Sequence, residues 1–228
     1  MGRPLGKLEE PPITEVVCGS FFKPVPGLDP VSLGSFWKAR QKEFPCREFK
    51  APIAPASLEG IELNFGPDVG PLRTWLISKD DVFIIQVQHD RFYMNWRVRQ
   101  DAYPRFNDWG SNRGLLSLFM EKHEAFERFC SDELGAKLEL QGIELAKIDH
   151  LERGRHWKDS RDLSGLLPML GPALELADKD PVVAFRLATP RDDGSVDIAI
   201  DTIFRLAQPP VPVVKLECRR SIRRAMPS

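Results

Sequence analysis

The chain has 228 residues, 42% of them hydrophobic, which is enough apolar material for one large core or two small ones and excludes disorder throughout. Lys and Arg number 32 against 33 Asp and Glu, a formal net charge of −1. Overall charge therefore supplies no pull towards nucleic acid or an anionic membrane, and any such contact has to come from a local patch.

The four cysteines, Cys18, Cys46, Cys130 and Cys218, are scattered and form no Cys-x-x-Cys pair; they read as reduced, mostly buried thiols rather than a zinc or redox motif. Residues 1–12 carry Arg3, Lys7, Glu9 and Glu10 and no apolar run of the secretory kind. No segment approaches the roughly 20 apolar residues of a membrane span. The expectation is a cytoplasmic protein without a membrane partner.

Residues 13–23 (ITEVVCGSFFK) are rich in β-branched and aromatic side chains between prolines, and read as a strand. From Asp29 the period changes: Leu33, Phe36, Trp37, Arg40 and Phe44 recur at helical spacing, with Asp29 or Ser32 as N-cap and Pro45 as stop. Residues 46–71 are dense in Pro and Gly and read as an irregular connection with one short strand near 61–65. Three strands then follow at 73–78, 82–88 and 91–97, turned at Lys79-Asp80-Asp81 and His89-Asp90. Alternation sets Val82 and Ile84 with Phe92, Met94 and Trp96 on the core face and leaves the other face wetter. A helix over 115–134 carries its apolar stripe on Leu115, Leu118, Phe119, Phe126, Phe129 and Cys130, with Glu121, Lys122, Glu124, Glu127 and Arg128 on the opposite face, and Gly135 stands where its C-cap belongs.

The same order then restarts. Residues 137–151 read as a strand, 163–177 as a helix interrupted by Pro168 and Pro172, and 182–189 with 196–207 as a hairpin about Asp192-Asp193-Gly194. The sequence thus predicts an α+β fold of two imperfect strand-helix-antiparallel strands-helix units in tandem. The first spans residues 11–135 and the second, incomplete, 136–208. Residues 209–228 read as a Pro-rich linker and a basic tail, in which the closing helix is either short and basic or missing.

Pro11-Pro12-Ile13-x-Glu15-Val16-Val17, the strand end Asn95-Trp96-Arg97 and the segment Tyr103-Pro104-Arg105-Phe106 together resemble a sporadically distributed bacterial family of uncharacterised conserved hypothetical proteins. The resemblance covers residues 11 to about 207 and implies no activity. Family members look as though they continue into a further helix and strand, which the Arg-rich ending here does not match.

Trp96, Arg97, Tyr103, Arg105 and Trp109 mix planar aromatics with guanidinium groups that could grip a carboxylate or phosphate, and form the candidate binding stretch. The competing account makes Trp96 a core residue and lets the arginines lie over the aromatics. Lys215, Arg219, Arg220, Arg223 and Arg224 are the candidate phosphate contacts of a nucleic-acid reading. None of the four histidines, His89, His123, His150 and His156, has metal-ligand spacing. His123 reads as a surface partner of Glu127, and the charged stretch 149–162 as a solvated loop rather than a metal site. Asp80-Asp81 and Asp192-Asp193 fit hairpin tips. No nucleophile-elbow, phosphate-loop or dinucleotide signature occurs.

The expectation is a non-enzymatic protein-interaction or regulatory module with no catalytic residues, cofactor or metal. It would bind a protein partner or a second copy through a sheet edge or face. The alternatives are a nucleic-acid-associated protein using a sheet face with Arg97, Arg99, Arg105 and the tail, and a hydrolase of unfamiliar design around 150–162.

Overall fold

A computed structural model describes residues 13–53, 72–99 and 114–152, short stretches between 154 and 165, and the backbone of three strands at 184–189, 196–205 and 213–223. In chain order the elements are β1 (Ile13–Phe22), α1 (Leu33–Lys38), β2 (Cys46–Lys50), β3 (Arg73–Ile77), β4 (Phe83–Gln88) and β5 (Arg91–Arg97). They continue with α2 (Leu115–Leu134), β6 (Leu140–Glu152), β7 (Ala184–Thr189), β8 (Val196–Arg205) and β9 (Val213–Arg223).

The strands build one sheet of nine, ordered β2-β3-β4-β5-β1-β6-β9-β8-β7. Every neighbouring pair runs antiparallel. This overturns the tandem reading: the fold is dominated by its sheet, with two helices among the described residues, and not a pair of strand-helix-strands units. The physical reason is β1, which pairs β5 on one side and β6 on the other, nearly along its whole length. Residues 213–223, expected in the linker and tail, are strand β9, held between β6 and β8. The strand expected near 61–65, the proline-interrupted helix and the Asp192-Asp193 tip lie outside the described residues.

Both helices pack on one side of β1, β3, β4 and β5. Phe126 is fully buried there, with ring centroids 5.0 Å from Phe92, 5.5 Å from Phe36 and 5.9 Å from Phe22. Burying such rings is the main stabilising term, each contributing roughly 1.5–3 kcal/mol. Gly135, at φ +61, ends α2 in the left-handed conformation, and Ala136 N–H donates to the Cys130 carbonyl at 2.9 Å. α1 stops at Lys38, short of Pro45; turns continue the chain, and Trp37 Nε1 donates to the Phe44 carbonyl at 2.9 Å. Asp29 Oδ1 accepts from the N–H groups of Val31 and Ser32, both at 2.8 Å, and so organises the turn before the helix. The Ser32 backbone bond is the first cause of its lowered pKa.

Val82 packs with Met94 and Trp96 as expected, but the register corrects the placing of Ile84. Phe83 lies opposite Trp96, Ile85 opposite Met94 and Val87 opposite Phe92, whereas Ile84 lies opposite Asn95. The helix side of β4 is therefore Phe83, Ile85 and Val87. Nor is the second face wet: Gln86, Gln88, Arg91, Tyr93 and Asn95 are all buried. With apolar residues at consecutive positions of β4, alternation carries no information about facing.

Candidate interaction surface at the β2 edge

Neighbouring residues on a strand face opposite ways, and this separates the first two residues of the expected binding stretch. Trp96, 2% exposed, packs on the helix side with Val16, Cys18, Met94 and Leu115. Arg97 bonds the Asp81 carboxylate, which also accepts from Arg99 Nε at 2.6 Å. Asp81 holds φ +60 at the β3–β4 turn, where a short polar side chain tolerates the left-handed region. Arg97 and Arg99 thus tie down a hairpin. Tyr103, Arg105 and Trp109 lie outside the described residues.

The candidate phosphate contacts are held in a sheet. By register Lys215 pairs with His150, Arg219 with Ala146, Arg220 with Leu145 and Arg223 with Gly142. Arg224 lies outside the described residues. No group of three or more His, Cys, Asp or Glu among the described residues is placed to hold a metal ion.

Two further expectations change on α2. His123 is no surface residue: its side chain is 13% exposed, with ring centroids 5.6 Å from Phe92 and 5.4 Å from Phe119. Its Nδ1 stands 3.7 Å from Glu127. Burial lowers its pKa and the Glu127 charge opposes that shift. Lys122, expected on the polar face, is 6% exposed; its ammonium donates to Glu43 Oε2 at 2.6 Å and to Glu121 Oε1 at 3.0 Å.

The sheet face away from the helices is polar and largely paired within itself. Arg73 Nη1 donates to Gln86 Oε1 at 2.8 Å, and Asn95 Nδ2 donates to Glu15. Arg91 grips Asp90 with two bonds, at 2.9 and 2.8 Å. Gln88 Oε1 accepts from Ile53 N–H at 2.8 Å. Burial is the first cause of the lowered pKa of Arg73. At Arg91 burial also works downward, but bonding to Asp90 and the neighbouring Tyr93 outweigh it and the net shift is upward. The Arg73 and Asn95 pairs join β3 to β4 and β5 to β1 across a buried polar layer that is only partly satisfied: Arg73 Nε, Trp75 Nε1 and Asn95 Oδ1 are buried without a hydrogen-bond partner among the described residues.

Aromatics and cations do meet, at the outer edge of the sheet. β2 ends the strand order, and Cys46, Arg47, Glu48 and Phe49 are all exposed. Arg47 lies between two rings, 4.7 Å from the centroid of Trp37 and 5.9 Å from that of Phe49. On β3, Trp75 carries Lys50 at 4.9 Å and Arg73 at 5.3 Å. Glu48 and Lys50 bridge at 2.6 Å. Trp and Arg set on an open edge have the composition of protein-interface anchors. Sequence reasoning missed this group because its members are dispersed from 37 to 75 and β2 itself carries no apolar periodicity.

Among the described residues these features define a sheet-dominated antiparallel fold whose β2 edge is exposed, aromatic and cationic. No helix among the described residues is long and apolar enough to cross a membrane. Comparison with known proteins finds no family model, no curated protein and no solved structure that matches the chain.

Proposed function

We propose that the protein is a non-enzymatic interaction module, and that its β2 edge pairs with the β2 edge of a second copy in antiparallel register. The observation that carries this reading is the exposure of Cys46–Phe49 on a strand that no further strand follows among the described residues. Such an edge presents main-chain donors and acceptors to an incoming strand, and Phe49 is 47% exposed beside it.

The partner is argued from the side chains. Directly opposed residues of an antiparallel pair interact, and a two-fold interface is self-complementary. An axis through Phe49 sets Phe49 against its copy, Glu48 against Lys50 and Lys50 against Glu48. An axis through Glu48 would oppose two carboxylates. The first register is favoured, since like charges directly opposite destabilise and unlike charges contribute roughly 0.2–1 kcal/mol each.

The test is sedimentation equilibrium on the native chain and on Glu48→Lys, Lys50→Glu and the double exchange. A dimer weakened by either single reversal and restored by the exchange supports the reading. Phe49→Cys, in a Cys46→Ser background, should give a disulfide-linked dimer under mild oxidation, because opposed positions lie within disulfide reach. A monomer throughout, or a dimer indifferent to both reversals, would sink it.

A further inference from the structure

A second feature lies on the helix side of the sheet. There α2, the β3–β4 hairpin and the stretch leading from α1 into β2 enclose a groove of about 650 Å³. That volume falls within the roughly 300–1,000 Å³ of small-molecule sites, which combine an apolar lining with a few polar groups. Phe83, Met94 and Leu118 line it, and Met94 is 1% exposed overall. The sulfur-bearing side chain adapts to varied apolar shapes.

The charges around the groove are uneven. Its lining includes Lys42, Lys79 and Lys122 against Glu43 and Asp80. Both carboxylates are already engaged. Glu43 accepts from Lys122 at 2.6 Å. Asp80 Oδ1 accepts from Ser78 Oγ at 2.6 Å and from Val82 N–H at 3.1 Å, and the Ser78 bond is the first cause of its lowered pKa. Lys42 and Lys79 are exposed and carry no ion pair among the described residues. Two ammonium groups with no ion pair among the described residues therefore stand at a groove with an apolar floor of Phe83, Met94 and Leu118 and a charged rim.

From this arrangement we infer a binding site for a small amphipathic anion, an organic carboxylate or phosphate monoester on an apolar body. The body lies on Phe83, Met94 and Leu118, and the head takes charge-assisted hydrogen bonds from Lys42 and Lys79. Lys122, neutralised by Glu43 and Glu121, shapes the wall and leaves the head to the two exposed lysines. A cationic amphiphile meets the opposite balance, and a short anion such as acetate has no body for the floor.

The experiment is a titration of the full chain, labelled with [methyl-¹³C]methionine, with decanoate below its micelle concentration. Acetate and decyltrimethylammonium serve as controls. The chain has five methionines, so Met94 is assigned by Met94→Leu, and Met120, 55% exposed on α2, serves as the reference. A saturable decanoate shift at Met94, with little change at Met120 and neither control reproducing it, is the expected result. In the double variant Lys42→Gln/Lys79→Gln, whose replaced side chains are exposed, the decanoate Kd should rise about tenfold. An unmoved Met94, an equal response to the cationic amphiphile, or an unchanged Kd in the double variant would overturn the inference.

Discussion

Replacing Gly19 with alanine tests the polar side of the sheet. Gly19 lies in β1 directly opposite Tyr93 in β5 and Glu144 in β6. A Cβ on Gly19 would fall 2.1 Å from Tyr93 Cδ1 and 2.2 Å from Cε1, where carbon atoms prefer about 3.5–4.0 Å. The ring would have to retreat by about 1.5 Å to regain contact distance. It has little room, being 3% exposed and clustered with Val17, Ala146 and Ile148, with Ile53 packed alongside. A glycine within a strand otherwise destabilises by roughly 0.5–1 kcal/mol relative to alanine. Overpacking costs about 1–3 kcal/mol and wins here, so the variant should lose about 1 kcal/mol net. The loss would be read from urea unfolding followed by far-UV circular dichroism, with the slope unchanged. In a Tyr93→Ala background the same substitution should do much less harm, a coupling of about 1–3 kcal/mol. If Gly19→Ala is neutral or stabilising, the claim that the Tyr93 ring occupies the space over Gly19 is wrong.

Phe126→Ala removes a ring with no exposed surface from among Phe22, Phe36, Phe92 and Phe129 and should cost about 3–5 kcal/mol in the same unfolding assay. His123 has its folded pKa lowered from the ordinary 6.5 by burial, so the unfolded chain takes up the proton first. Stability should fall as pH drops below 6.5 until the folded pKa is passed, and comparison with His123→Gln across this window should isolate that slope. Cys46 is exposed, whereas burial pushes the Cys18 and Cys130 thiols up to about 12. Brief iodoacetamide treatment of the native chain, read by peptide mass spectrometry, should therefore label Cys46 and spare Cys18 and Cys130 until denaturant is added.

Elements that declare themselves locally were legible. The strands from Arg73 to Arg97 are marked by β-branched and aromatic residues between turn residues such as Asp80 and Asp81, and α2 by an apolar stripe ending at Gly135. What escaped depends on partners distant in the chain. β2 has no apolar alternation and becomes a strand because Cys46 to Lys50 find Ile77 to Arg73 across an intervening stretch. β9, with its Lys and Arg, resembles a tail until β6 and β8 flank it. Lys122 was assigned to solvent by its charge, yet Glu43, 79 positions earlier, supplies the carboxylate that permits its burial. The tandem reading failed in the same way: nothing within residues 13–22 records that β6 will fill the second edge of β1. The aromatic-cationic group from Trp37 to Trp75 escaped because it assembles only in the folded sheet, whereas the stretch from Trp96 to Trp109 is contiguous in sequence and lies in part outside the described residues.

A short, charged edge strand is also how sheets resist unwanted pairing, so the arrangement of the charges on β2 matters more than their presence. A protective edge repels a copy of itself. Lysines at every exposed position would do so in any register. On β2 the signs alternate along one face, Glu48 then Lys50, and a two-fold axis at Phe49 turns that alternation into complementarity. The same axis brings together the two exposed rings, which a protective edge would keep apart. Under the proposed pairing, the β2 edge therefore favours the register centred on Phe49 over the neighbouring one centred on Glu48.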